Sequence, residues 1–410
     1  LKEASTARSA AGKMLLPVYV PTALLAFGQG LLVPTLPFYA ASLDAKASLI
    51  GFIAAAAGIG TLIADVPAGA LLGRLGRRPA MLIGAGLVAI STLIIGLWAS
   101  IPGLIAMRLL AGVGTALWGL SRHAYITDVV APAQRGRSIA VFGGINRTGN
   151  LLAPAAGGII GQQFGLNSPF IVAGVLAGAT AILAYITVPE SAARTAGSAG
   201  HKMRWGLVGA MMRTHWRDLS AAGIAQIFAQ MIRAGRQLLI PLYGDSLGLS
   251  VATVGTILSI AAALDVAMFI PAGFMMDRFG RKVAAVPSFA VMAIGMLVVA
   301  AAVDFRSLLL GAAIIGFGNG LGSGTMMTLG ADLAPPGAVG EFLGFWRLIG
   351  DSGQSGGPII VGTTADIFGL TTTALILSGI GAAAALTLAL LVRETKEGAG
   401  VGGRAVGDRR

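Results

Sequence analysis

The chain has no cysteine, three histidines and little charge: Asp, Glu, Lys and Arg together make up 11% of its 410 residues. The missing thiols exclude disulfides and thiolate metal centres. The shortage of charge excludes an ordinary soluble domain, where about a quarter of the residues are charged. A soluble chain this long would also divide into domains, because single cores stop growing at roughly 250–300 residues. There is no metalloprotease helix motif and no phosphate-cradling glycine loop, so nothing in the sequence supplies an ATP site.

What the chain has instead is apolar residues, 55% of the total, in long runs. Residues 79–100 and 371–392 are free of charge throughout, and about 20 such residues cross a hydrocarbon core of about 30 Å. There are too many of these runs for a signal peptide ahead of a soluble domain. The net charge of +12 does not point to nucleic acid, because Lys and Arg sit in short clusters between the runs. The 61 glycines suit helices packed closely in lipid.

The reading is all-α and integral to a membrane, with about twelve spans: 14–40, 48–72, 79–100, 102–127, 138–163, 168–189, 219–243, 251–276, 283–303, 306–331, 341–364 and 371–392. Arg74, Arg77 and Arg78 follow the second span, Arg135 and Arg137 the fourth, Arg204, Arg213 and Arg217 the sixth, and Arg278, Arg281 and Lys282 the eighth. The alternate loops carry no excess of positive charge. Basic loops stay in the cytoplasm, which predicts both termini inside and a multi-pass protein of the cell's inner (plasma) membrane.

The chain also repeats itself. Pro67-Ala68-Gly69 returns as Pro271-Ala272-Gly273, and Arg77 and Arg281 stand 204 apart. The same offset relates Pro37 to Pro241, Tyr39 to Tyr243, Asp128 to Asp332 and Pro154 to Pro358. Two pseudo-symmetric six-helix bundles are expected, at 1–189 and 219–392. A cytoplasmic linker at 190–218 joins them, and a disordered tail follows at 393–410. Parallel repeats of this kind place a substrate site near mid-bilayer between the halves.

Four segments carry a family likeness. Gly273-Phe274-Met275-Met276-Asp277-Arg278-Phe279-Gly280-Arg281-Lys282 is echoed in the first half by Gly69-Ala70-Leu71-Leu72-Gly73-Arg74-Leu75-Gly76-Arg77-Arg78. Arg108-Leu109-Leu110-Ala111-Gly112-Val113-Gly114 lies in the fourth span, and Gly149-Asn150-Leu151-Leu152-Ala153-Pro154-Ala155-Ala156-Gly157-Gly158 in the fifth. Over nearly its whole length the chain resembles the major facilitator superfamily, and within it the drug:proton antiporters. It has Gly73 where the family usually has Asp, and Ala153 where the antiporters usually have Gly. The resemblance implies a transporter without a cofactor, driven by a proton gradient, and not an enzyme. It implies a small-molecule substrate, protons and lipid as partners, no nucleic acid, and a monomer. Asp277 and Asp332 with Arg281, and Asp128 with Arg77, are candidates for a cytoplasmic latch; the other reading is that these charges only anchor the topology.

A charge at mid-bilayer costs about 2.5–3.5 kcal/mol on insertion scales, so it is usually paired or functional. Away from the span ends, three acids fall within spans (Asp65, Asp265 and Asp351), and so do six arginines: Arg108, Arg122, Arg147, Arg233, Arg236 and Arg347. The resemblance implies that the fifth span faces the eighth and the second faces the eleventh. Asp265 lies 12 residues from Asp277, about 18 Å at 1.5 Å per residue, and Arg147 lies about as deep. We therefore expect Arg147 to pair with Asp265, and Asp65 with Arg347. These pairs are either static bridges or gates opened by protonation, with Asp65, Asp265 and Asp351 as the candidate proton carriers.

The resemblance also implies that spans 1, 4, 7 and 10 line the cavity. That nominates Gln29, Arg108, Arg122, Phe228, Arg233, Arg236 and Phe317. Arg108 and Arg122, 14 residues apart, share a helix face, and so do Arg233 and Arg236. They bind an anionic group or depress the pKa of a coupling carboxylate. Span 1 holds only Gln29, and no mid-membrane acid, which counts against a site for cationic drugs. His123, Trp118 and Trp346 are expected to serve in packing or hydrogen bonding. Gly350-Asp351-Ser352-Gly353-Gln354-Ser355-Gly356-Gly357-Pro358 resembles the nucleophile segment of trypsin-like proteases. That chemistry needs a His base oriented by a buried Asp, which is not available here. The expected function is proton-coupled efflux of small amphipathic compounds. The alternatives are export of an anionic metabolite or lipid, and a transporter-like receptor or scaffold that moves nothing.

Overall fold

Hydrocarbon offers no water to a peptide group, so a spanning segment must satisfy its backbone internally, and a helix does this within itself. The computed structural model describes residues 14–129, 132–189, 216–335 and 339–395, with the isolated positions 209 and 213, and shows no strand among them. Most of the expected linker 190–218 lies outside the described residues. A π-helical turn, Leu15–Tyr19, leads into α1 (Val20–Ala41). α2 (Ala47–Leu75), α3 (Arg77–Leu97), α4 (Ile101–Val129), α5 (Pro132–Phe164) and α6 (Ser168–Thr187) complete the first half. The second half comprises α7 (Trp216–Ser246), α8 (Val251–Phe279), α9 (Arg281–Ala300), α10 (Phe305–Leu321) and α11 (Thr325–Asp332), followed by a long helix, Val339–Leu390. That helix kinks at Gly369, φ 80°, which divides it into α12 (339–368) and α13 (370–390).

Among the described residues, nine segments are long and apolar enough to cross a membrane by length and composition, and one of them, Phe342–Leu390, contains the merged pair α12 and α13. α5 and α7 are long enough but too polar to qualify. They carry Asn146, Arg147 and Asn150, and Gln226, Gln230, Arg233 and Arg236. The least apolar spans are thus those nearest the charges discussed below.

The sequence reading corrects at the tenth span. It was expected as one helix over 306–331, but it breaks at Gly322-Ser323-Gly324, where Gly324 takes φ +78°. The helix before the break starts well: Asp304 caps α10 in a reciprocal box with Ser307. The Ser307 hydrogen bonds hold the exposed Asp304 carboxyl below the usual carboxylate range.

Within the first half α1 packs on α5 and α6, α6 on α3, α3 on α4, and α4 on α2. Within the second, α7 packs on α12–α13, α9 on α10 and α12–α13, and α8 on α10. The open ends of these two arcs meet: α5 lies against α8, and α2 against α12.

The two seams are tight on the side away from the basic loops. Away from the basic loops, a Cβ on Gly255 of α8 would overlap the Pro154 carbonyl of α5, and one on Gly51 of α2 would overlap that of Pro358. Ala155 N–H donates to Ser259 Oγ across the α5–α8 seam at 2.9 Å. Asp366 accepts from the N–H groups of Ala47 and Ser48 at 3.0 and 2.9 Å, which caps α2. Towards the basic loops, a Cβ on Gly73, Gly143, Gly144, Gly273 or Gly344 meets nothing within 4 Å. Among the described residues, the close backbone contacts between the halves lie on the side away from the basic loops.

Candidate functional site

At the α5–α8 seam Arg147 Nη1 lies 2.8 Å from Asp265 Oδ1, and its guanidinium stacks 5.0 Å above the Phe269 ring. The other carboxylate oxygen, Oδ2, accepts from Asn319 Nδ2 of α10 at 2.8 Å. Both oxygens of Asp265 are therefore engaged. This is how a carboxylate persists at membrane depth: an opposite charge and an amide donor replace its water. The pairing was legible from helical depth; Asn319 was not. Its signal was present, since a lone amide within Gly316-Phe317-Gly318-Asn319-Gly320 needs a partner once buried.

At the α2–α12 seam Arg347 serves two acids. Its Nη2 lies 3.9 Å from Asp65 Oδ1 across the seam, and its Nε lies 3.3 Å from Asp351 Oδ2 one turn along α12. Asp351, expected as a separate carrier, thus shares a cation with Asp65. The repeat has shifted charges here. Arg147 and Asp351 stand 204 residues apart, as do Asp65 and Phe269. Each seam therefore carries an Arg–Asp link, with the arginine on the equivalent helices α5 and α12 and the aspartate on the equivalent helices α8 and α2, at positions about one turn apart. Arg347 is 44% exposed, so the second cluster is the wetter one.

The remaining arginines are held mostly by backbone. Arg108 Nη2 donates to the Ala54 carbonyl at 3.3 Å. Arg233 Nη2 donates to the Gly322 carbonyl at 2.9 Å and stacks on Phe289 at 5.1 Å. Arg122 and Arg236 are partly buried, and Arg236 lies one turn beyond Arg233 on α7. The Nε atoms of Arg108, Arg233 and Arg236 are buried and find no hydrogen-bond partner among the described residues. Gln29 is exposed midway along α1, Phe228 is partly buried, and Phe317 is 40% exposed. Trp118 and Trp346 are buried, and Trp346 Nε1 donates to the Met326 carbonyl at 2.9 Å. His123 Nδ1 lies 2.7 Å from the Gly119 carbonyl. All three fill packing or hydrogen-bonding roles, as expected. An apolar groove of about 610 Å³ lies between α1 and α5, lined by Leu24, Phe27, Ile145 and Thr148 among others. None of the charged candidates lines it.

On the basic side Arg281 Nε bonds Asp332 Oδ2 at 2.9 Å, tying α9 to α11 within the second half. Thr395 Oγ1 reaches the same oxygen at 2.7 Å. Glu394 accepts from the backbone N–H groups of Arg281 and Lys282 at 2.9 and 3.0 Å, capping α9 from the far end of the chain. The expectation of a disordered tail from 393 is corrected to this extent: Glu394 and Thr395 are bound. Asp277 stands in the last turn of α8. The side chain of Asp128, and with it the Arg77–Asp128 candidate, lies outside the described residues. Glu394→Ala is expected to cost about 1 kcal/mol, as loss of a helix N-cap does. Thermal unfolding in detergent would register this as a lower midpoint, and an unchanged midpoint would mean that solvent caps α9 equally well.

Comparison with known proteins agrees with this geometry. Residues 19–234 and 222–407 each match the model of the Major Facilitator Superfamily. The chain belongs to the major facilitator superfamily. Facilitators of this fold are transporters rather than enzymes, and the all-α, two-bundle reading stands. One relative, an uncharacterised MFS-type transporter of Methanocaldococcus jannaschii, is 22% identical over 87% of this chain and 92% of its own length. Multidrug resistance protein 2 of Bacillus subtilis is 29% identical, over 40% of this chain and 41% of that protein. The solved structure of a point mutant of the nucleoside transporter NupG superposes with a TM-score of 0.78 at 14% identity, covering 93% of this chain and all of that one. At that identity the likeness to this facilitator is one of fold.

Proposed function

We propose that the chain is a proton-coupled exporter of small amphipathic compounds, working by alternating access, with its basic loops and both termini in the cytoplasm. The observation that carries this reading is the pair of Arg–Asp links, one at each seam between the halves. They lie at the depth where the close contacts between the halves end. Rocking the halves changes both seams, so it must make or break these links. Protonating Asp265 removes the charge that holds Arg147, and protonating Asp65 or Asp351 loosens Arg347. A proton thereby acts as a ligand with different affinity for two conformations, which is what coupling requires. Placing the basic loops inside follows from the bias of Lys and Arg, and the side opposite the close contacts is then cytoplasmic, where an exported compound enters. The similarity to a multidrug resistance protein supports efflux of amphipathic compounds.

The test is substrate-induced proton flux in proteoliposomes, using matched cationic, neutral and anionic compounds. We expect proton movement with at least one class, and its loss in Asp265→Asn. Substrate movement that ignores a proton ionophore would replace coupling by uniport. Binding without any movement would favour the receptor reading.

A further inference from the structure

The break in the tenth span lies at the depth of the Arg147–Asp265 link, one turn beyond Asn319. An interrupted helix at this depth frees backbone groups that hydrocarbon cannot satisfy, and such breaks persist where they line a polar site. The Gly322 carbonyl is satisfied: it accepts from Arg233 Nη2 at 2.9 Å, Thr325 Oγ1 at 2.8 Å and Thr325 N–H at 3.3 Å. The start of α11 is not capped, because its N-cap residue is Gly324 and no side chain bonds there. Helix N-termini attract anions.

Independent observations point to a ligand. Ser323, in the break itself, is 98% buried by its 2% exposure, and its Oγ has no hydrogen-bond partner among the described residues. Asn319 is 8% exposed, and its Oδ1 is also without one. Arg233 Nε is in the same condition. Natural proteins seldom leave buried polar atoms orphaned, and a cluster of them calls for an occupant. The donors at the break are the Arg233 guanidinium, the Ser323 hydroxyl and a helix N-terminus. The local acid, Asp265, is already engaged by Arg147 and Asn319. The group that complements this set carries a negative charge.

We propose that the Gly322-Ser323-Gly324 break, with Arg233, is a subsite for a carboxylate on the transported compound. This rests on the transport reading and narrows it to amphipathic organic acids. Arg233 holds the break through Gly322 and offers Nε to one carboxylate oxygen. Ser323 donates its hydroxyl, and the positive end of α11 adds its dipole. Asn319 Oδ1 accepts from a donor carried next to the acid or from a bridging water, which links substrate to the amide that holds Asp265.

The test uses purified protein in detergent and binding read by calorimetry, without any transport assay. The probes are 4-phenylbutyrate, its amide and 4-phenylbutylamine, which share one apolar body. We expect the carboxylate to bind at least tenfold more tightly than the amide or the amine. Ser323→Ala and Arg233→Gln should each weaken the carboxylate tenfold or more and leave the amide unchanged, and Arg233→Lys should recover part of the loss. Ser323→Ala is mild enough to fold if Arg233→Gln is not. Preference for the amine, an unchanged preference in Ser323→Ala, or no binding by any probe overturns the proposal. Carboxylate binding of the expected pattern without proton-linked flux would keep the subsite and reject proton coupling. Flux driven by amines with no carboxylate binding would do the reverse.

Discussion

Gly255→Val is expected to abolish transport while leaving a folded protein. A Cβ at this position overlaps the Pro154 carbonyl across the α5–α8 seam, and the partner is backbone, which has little room to give. Gly158 repeats the arrangement against the Val251 carbonyl, so the seam has no slack nearby. The clash exists only when this side is closed. A penalty of about 3 kcal/mol on the closed state would shift the balance between states by roughly a hundredfold. The fold should survive, since each half keeps its own packing. The absence of cysteine gives a clean readout. Ser259→Cys replaces a hydroxyl that accepts from Ala155 N–H across the seam. An impermeant maleimide added from the side opposite the basic loops should label this cysteine slowly in the parent and quickly with Gly255→Val. Equal protection in both, or normal transport by Gly255→Val, would show that this seam need not close.

The second large effect is expected from Asp265→Ala. Removing the carboxylate strands Arg147 and also Asn319 Nδ2, which lose their acceptors among the described residues. Breaking one side of a buried ion pair costs about 3–5 kcal/mol. Side-chain exposures of 29% for Arg147 and 15% for Asp265 place this pair at the low end, about 3 kcal/mol. Arg147→Ala together with Asp265→Ala should be milder than the sum of the two single changes, because no charge is left stranded. A double-mutant cycle on thermal stability should therefore give a coupling of at least about 1 kcal/mol. Additivity would mean that the 2.8 Å contact contributes nothing to holding the halves. Transport should fall in Asp265→Asn even where stability is retained, since the amide cannot exchange a proton.

Some of the site was legible because lipid makes polar residues conspicuous. Arg147, Asp265, Asp65 and Arg347 stand out in apolar runs, and a rise of 1.5 Å per residue converts sequence distance from a loop into depth. Matching depths on facing helices then yields the pairs. The facing itself came from a family resemblance and not from the residues. Asn319 escaped because an uncharged amide draws less attention than a charge. The break at Gly322-Ser323-Gly324 escaped because two glycines around a serine are ordinary among 61 glycines. Glu394 escaped because nothing local to α9 announces a cap that arrives 113 residues later.

The sequence by itself determined the helical class, the two-fold repeat and which charges lie within the apolar runs. The reason is that hydrocarbon leaves a backbone no partner but itself, and charges no place but against each other. Tertiary structure decided which side of the seams is closed, which acid shares which arginine, and where polar atoms remain without partners. These depend on contacts between residues more than a hundred positions apart, such as Pro154 with Gly255 and Asp65 with Arg347. The states they distinguish are built from the same helices and differ only in how two halves meet.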